Sequence, residues 1–318
     1  MSQTSTAGPT RTDQLAAQYE PMGTVAEDQP RTADQSMIVF LGVNGCGKSH
    51  LLQSHPGCAI VNFQQTPTTH ANPVAEMWPK DSGEPIRWNE FTDYVNYIIK
   101  ANLTGLKGAP TTIGIDSYVD MLECAWFYSA WMLNCRRNRN NPKTLSEFTI
   151  WDAINEDGMA VWGMAYAWIK DICRTCKAAY VGLIFVVPVA HLMIEHKVKR
   201  ETIKEERLEP MLSKSGQQFR ILQDAADALL YVTKEKRSRT VQQEYEVVVG
   251  GKKIKKTRGV TVPGVRQVIL SDHEPMHRYL KVRSAKMLLP ETIDISDTGW
   301  AGFSAAWNKS AGVPADNS

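Results

Sequence analysis

Lys48 and Ser49 close an eight-residue run, GVNGCGKS from Gly42 to Ser49, whose spacing matches G-x-x-x-x-G-K-[ST] in full. Glycines at those places let a backbone curl until its N–H groups converge on phosphate oxygens. A lysine there reaches the β- and γ-phosphates, and the serine hydroxyl ligates magnesium. The expected contacts of a nucleoside triphosphate, ATP with Mg2+, are therefore Gly42, Val43, Asn44, Gly45, Cys46, Gly47, Lys48, Ser49 and His50. A turn without chemistry is the alternative reading. Against it, MIVFL (Met37 to Leu41) before the run reads as a strand and Lys48 to Ser54 after it as a helix, which is the setting the motif needs.

A second magnesium contact is expected from a carboxylate that ends an apolar strand. TTIGIDS, Thr111 to Ser117, supplies Asp116 there. Asp116 could instead cap the turn before Ser117, and Asp120 is the nearest substitute. Cys173 and Cys176 lie on a helical stretch with no second pair at metal spacing, so they read as small core residues rather than zinc ligands. Cys46 reads as a small filler within the loop.

These residues need a scaffold, and the hydrophobic pattern outlines one. Short apolar runs predict strands at Met37 to Leu41, Ala59 to Phe63, Thr111 to Ile115, Val181 to Val187 and Ala226 to Val232. Helical spacing falls between them, over Trp88 to Leu103, Met121 to Leu133 and Trp151 to Ala178, with Trp126, Trp131, Trp162 and Trp168 reading as core. From Glu244 the pattern alternates around Gly250-Gly251, which predicts a β-hairpin, and a last strand is expected near Arg278 to Val282. Strands interleaved with helices imply an α/β fold with a mainly parallel central sheet. The polar composition of residues 1–35 and 308–318 predicts flexible ends around one domain over 36–307.

Of the 318 residues, 43% are apolar and 22% charged, which excludes a fibrous or wholly disordered chain. Six scattered cysteines make no disulfide framework, and no secretory leader opens the chain, so a reducing cytoplasm is expected. The longest apolar run, Ala178 to Ile194, is shorter than the roughly 20 residues of a membrane helix and reads as a buried strand, so no membrane partner is expected. The formal net charge of +2 hides clustering. Lys234 to Arg258 holds nine basic and three acidic residues, a net of +6 on the expected hairpin and its approach. Arg136, Arg137, Arg139 and Lys143 form a second cluster. Both read as basic loops that track a phosphate backbone, with edge protection of the hairpin as the alternative. Glu195 to Arg207 mixes five basic and four acidic residues and reads as a solvated loop.

Taken in order, MIVFLGVNGCGKSHLL, TTIGIDS, Trp162-Gly163, LIFVVPVAHL, DAADALLYV and RYLKVRSAKMLLP resemble the RecA-like P-loop ATPases of bacteriophages, AAA-type ATPases of the single-strand-annealing recombination kind. The resemblance spans about Met37 to Trp307. It implies a P-loop NTPase of the additional-strand division, the extra strand being Ala59 to Phe63 between the loop strand and the Asp116 strand. It further implies a water-activating glutamate at the end of that strand, where this chain has Gln64 and Gln65. Glutamine is no general base but can orient water, so Gln64 becomes the candidate for that role. By the same resemblance His191 would sense the γ-phosphate, with a strand-end cap as the alternative. Lys281 and Arg283 would reach a neighbouring subunit's nucleotide. The usual glycine after Arg283 is missing, Lys286 competes, and a solvated strand edge is the alternative.

Two functions are expected on these grounds. One is a magnesium-dependent ATPase that assembles as a homo-oligomer on single-stranded DNA in phage recombination or replication, working in the host cytoplasm alongside a single-strand-binding protein. The other is a nucleotide-gated DNA-binding accessory module with little or no hydrolysis, favoured by the missing glutamate.

Overall fold

The computed structural model describes residues 31–63, 74–76, 88–198, 201–211, 217–249, 252–271, 279–282 and 287–313. The strands are β1 (Met37–Gly42), β2 (Cys58–Asn62), β3 (Val74–Glu76), β4 (Thr112–Asp116), β5 (Gly182–Val198), β6 (Glu201–Pro210), β7 (Ala228–Val249), β8 (Lys252–Leu270), β9 (Lys281–Val282) and β10 (Thr292–Asp294). The helices are α1 (Lys48–Gln53), α2 (Trp88–Leu103), α3 (Tyr118–Arg137), α4 (Ile150–Ile154), α5 (Gly158–Ala178), α6 (Gln217–Ala225) and α7 (Gly299–Ala311).

The sheet runs β10-β8-β7-β1-β5-β4-β2-β3, with β6 paired to β5 and β9 to β7. From β7 across to β3 every neighbour is parallel. Every residue of β1 is buried, and its side chains alternate between two cores as a pleated strand requires. Met37, Val39 and Leu41 pack with α2, α3, α5 and α6, whereas Ile38 and Phe40 pack with α1 and α7. Helices thus cover both faces, which is why the central strands are apolar runs without alternation.

The strand that separates β1 from β4 is β5, not the expected Ala59 to Phe63. That segment is β2, and it lies beyond β4. Leu183 to Val187 are at most 2% exposed, so β5 is apolar enough on both faces to take the central place. The expected helix Trp151 to Ala178 is two helices, because the Asp157 carboxylate accepts from the N–H groups of Met159 and Ala160 and starts α5 afresh. The expected loop Glu195 to Arg207 belongs to a hairpin, with β5 and β6 paired from Val189↔Pro210 to Val198↔Glu201. Strand pairing uses backbone groups, so a mixed-charge sequence does not preclude it. The predicted β7–β8 hairpin pairing is present, with its last pair at Val249↔Lys252, and Gly250 and Gly251 lie outside the described residues. Past Lys234↔Gln267 it continues for fifteen pairs, about 50 Å at ~3.3 Å per residue.

The described fold extends past both expected domain boundaries. Ala33 to Gln35 form a 3-10 turn, and α7 runs on to Ala311. The two clasp each other: Asn308 Oδ1 accepts from the Ala33 N–H (3.1 Å), Trp300 Nε1–H donates to Asp34 Oδ1 (2.9 Å), and Trp307 Nε1–H donates to the Arg31 carbonyl (3.1 Å). Such partners are invisible to a local composition argument.

His55, fully buried at the end of α1, joins this clasp to the sheet. Its ring stacks on Trp300 at 4.2 Å, Nδ1 accepts from the Gly57 N–H (3.1 Å), and Nε2 lies 3.0 Å from Thr112 Oγ1 and 3.3 Å from Asp34 Oδ1. With Nδ1 an acceptor, the ring is neutral and carries its proton on Nε2. Burial pushes its pKa down to about 4, only partly offset by the Asp34 carboxylate. The unfolded chain therefore binds the extra proton first as pH falls. Unfolding free energy should be level above pH 6.5 and decline from there to about pH 4, by about 3 kcal/mol from this group. Urea denaturation across that range checks this, and the slope should be shallower in His55→Gln.

Candidate functional site

Strands β1, β4 and β2 end at one edge of the sheet, the carboxyl edge where open α/β folds place their ligands. Gly42 stands opposite Pro188 of β5, Ile115 of β4 stands opposite Phe185, and Asp116 stands opposite Asn62 of β2. Gly42 and Asp116 are thus two strands apart, roughly 10 Å across the sheet. Asp116 and Asn62 are buried, at 4% and 3% exposure. The Asp116 carbonyl accepts from the Phe63 N–H at 2.7 Å, and the Asp116–Ser117 peptide is cis. Ser117 opens α3 and donates its hydroxyl to the Asp120 carboxylate. Asp120 is therefore engaged in the first turn of α3, and the strand-end place belongs to Asp116.

The glycine-rich loop leaves β1 at Gly42 and enters α1 at Lys48. Gly45 (φ 77°) and Gly47 (φ 98°) hold left-handed backbone that a side chain would strain. Gly42 is required by space instead, since a Cβ there would sit 2.5 Å from the Val232 carbonyl of β7. Lys48 is 7% exposed, and its Nζ lies inside the loop, donating to the carbonyls of Gly42 (2.6 Å) and Val43 (2.9 Å) with Cys46 Sγ at 3.6 Å. Cys46 is buried, as its reading as a filler expects. Asn44, Gly45 and His50 are exposed and Ser49 is half-buried. A serine hydroxyl and a carboxylate are hard oxygen donors, so Ser49 and Asp116 suit magnesium chemically.

Two residues that the sequence did not single out touch the outside of this loop. Lys234 Nζ donates to the Gly45 carbonyl at 2.7 Å. Gln267 Nε2 donates to the carbonyls of Cys46 (3.1 Å) and Gly47 (2.9 Å). They face each other at the root of the β7–β8 hairpin, where the next pair, Glu235 and Arg266, closes an ion pair of 2.6 Å. No local pattern marks Gln267, which lies 220 residues from Gly47 in the chain.

Gln64 and Arg283 lie outside the described residues. The backbone of His191 stands three residues past Pro188 on β5, beyond the edge and within the β5–β6 hairpin. Lys281 pairs with Leu229, which is level with Val39, so it sits level with the middle of β1, three residues short of Gly42 and two strands away. In the expected basic cluster two members are locally neutralised, Arg137 by Glu156 (2.8 Å) and Lys143 by Asp152 (2.7 Å). Cys173 and Cys176 are buried core residues whose thiols burial pushes up to about 12, and no metal-binding cluster occurs among the described residues. Nor is any described helix long and apolar enough to cross a membrane.

No protein-family model and no curated protein matches this chain. Among solved structures it is similar to the flagellar accessory protein FlaH from Methanocaldococcus jannaschii, at 12% identity and a TM-score of 0.32, with 85% of this chain and 88% of that one covered. At that score the superposition is loose, and the functional reading rests on the strand order and loop geometry of this chain.

Gly47→Ala should destabilise the fold by on the order of 1–2 kcal/mol, because a Cβ at φ 98° is strained and would meet the Gln267 amide. The shift in urea midpoint measures it. Gly163→Ala, on α5 with open space around it, should cost nothing or stabilise.

Proposed function

We propose that this chain binds ATP with magnesium in the loop Gly42 to Ser49, as a RecA-like protein that acts on single-stranded DNA in recombination or replication. The observation that carries the reading is the full G-x-x-x-x-G-K-S loop between a fully buried β1 and α1, with Asp116 ending a parallel strand at the same sheet edge. The N–H groups of Gly45, Gly47 and Lys48 bind phosphate oxygens. Lys48 Nζ exchanges its two carbonyl acceptors for a phosphate oxygen, a stronger charge-assisted bond. Ser49 and Asp116 hold the magnesium ion, which neutralises charge on the phosphates.

The DNA part of the reading is supported by the β7–β8 hairpin. Its register sets Tyr245 opposite Lys256, with Arg237, Arg239, Lys252 and Arg258 on the same two strands. That combination suits a single strand, with cations for phosphates and an aromatic ring for a base. Lys281 lies away from the loop of its own chain, as a residue that completes a neighbour's site in a homo-oligomer would, with Arg283 beside it in sequence. His191, three residues past the edge, is the candidate sensor of the γ-phosphate, and Gln64 the candidate for orienting water.

A specific observation favours little or no hydrolysis as the second reading. Strand β2 ends at Asn62, and Phe63, Gln64 and Gln65 come next in the chain, so the sequence offers no carboxylate at the place where the family it resembles carries a water-activating glutamate.

Titration with a fluorescent ATP analogue tests the core of this reading. Lys48→Ala should weaken binding at least tenfold, and Asp116→Asn should make the affinity indifferent to magnesium; an unchanged affinity in Lys48→Ala would sink it. Phosphate release with and without a single-stranded oligonucleotide separates the DNA-stimulated ATPase from the non-hydrolysing module. If the net +6 of the hairpin neutralises about six phosphates, log K for single-stranded DNA should fall against log salt with a slope of about −4.

A further inference from the structure

Three consecutive carbonyl oxygens on the outer side of the loop, those of Gly45, Cys46 and Gly47, are held by two side chains from the root of the β7–β8 hairpin. In a trans peptide unit the C=O of one residue and the N–H of the next point in opposite directions. Whatever grips the carbonyl therefore aims the N–H. Gln267, on the Cys46 carbonyl, sets the direction of the Gly47 N–H, which is away from the hairpin and into the loop; on the Gly47 carbonyl it joins the Leu51 N–H of α1 (3.0 Å) in setting the Lys48 N–H. The Cys46 N–H is already committed to the Val43 carbonyl at 3.3 Å, and Lys234 fixes the other end of that peptide unit through the Gly45 carbonyl. Gly45 and Gly47 have no side chains to lock their own dihedrals, so contacts from outside add to the loop's own bonds in holding its shape. A hydrogen bond on the carbonyl also polarises the peptide and makes its N–H a stronger donor.

We propose that Gln267 is a positioning residue for phosphate binding, supported by Lys234: it orients the Gly47 and Lys48 N–H groups by holding the carbonyls of their peptide units. The proposal rests on the reading of this loop as a phosphate site. Gln267 itself touches no phosphate, because it lies on the carbonyl side. Its amide suits the role, since a donor is needed at two adjacent carbonyls and a carboxylate of the same shape would repel both.

The test uses the full-length protein and the fluorescent ATP analogue with magnesium. Gln267→Met keeps the length of the side chain and removes the donor; Gln267→Glu keeps the shape and reverses the interaction. Gln267→Met should weaken nucleotide binding about tenfold, in line with the loss of two hydrogen bonds, and Gln267→Glu should weaken it further. In Gln267→Met the amide resonances of Gly47 and Lys48 should move before any nucleotide is added, while the melting temperature stays within a few degrees of the parent. A folded Gln267→Met protein that binds within twofold of the parent, with those two resonances unmoved, overturns the proposal alone. Equal binding by the parent and Lys48→Ala would instead overturn the loop reading, and this proposal with it.

Discussion

Strand β1 is hydrogen-bonded along both edges, to β5 and β7, and packed on both faces, so it has no freedom to shift. A strand in that position must satisfy every backbone group within the sheet and every side chain within two cores. Its carboxyl end is consequently firmly located, and the glycine-rich loop begins there. The close approach of Gly42 to Val232 extends the same constraint one residue further, through contact with β7.

Rigidity at the centre is combined with extension at the margin. The two strands that flank β1 are the two that grow into long hairpins, β5 into β5–β6 and β7 into β7–β8. Each hairpin thus starts beside the loop and leads away from it, carrying charge that a buried strand could not. The chemical edge of the sheet lies between the roots of both. Stability of the opposite face is drawn from elsewhere, from the aromatic group of Phe40, Trp300, Phe303 and Trp307 and from neutral His55 stacked on Trp300, which bind the two chain ends to each other and to α1.

Much of the scaffold was legible because its signals are local. Apolar runs bounded by turn residues marked β1, β2, β4, β5 and β7 to within a few residues at their starts, and the paired glycines at 250 and 251 marked the long hairpin. Errors arose where a distant partner decides. Glu195 to Arg207 carries no apolar periodicity, and it pairs because β5 is already extended beside it. Residues 31–35 look like a polar arm, yet they are clasped by Asn308, Trp300 and Trp307. Arg137 and Lys143 read along the chain as free cations, yet Glu156 and Asp152 lie against them.

By itself the sequence determined the loop from Gly42 to Ser49, the carboxylate at Asp116 and the alternation of strand and helix, since each depends on residues adjacent in the chain. Tertiary structure alone decided that β5 lies between the loop strand and the Asp116 strand, and that Asn62 stands beside Asp116. It alone placed Lys234 and Gln267 against the carbonyls of Gly45, Cys46 and Gly47. Strand order and cross-sheet contacts are set by which buried surfaces fit together, and a pattern read along the chain contains no term for that.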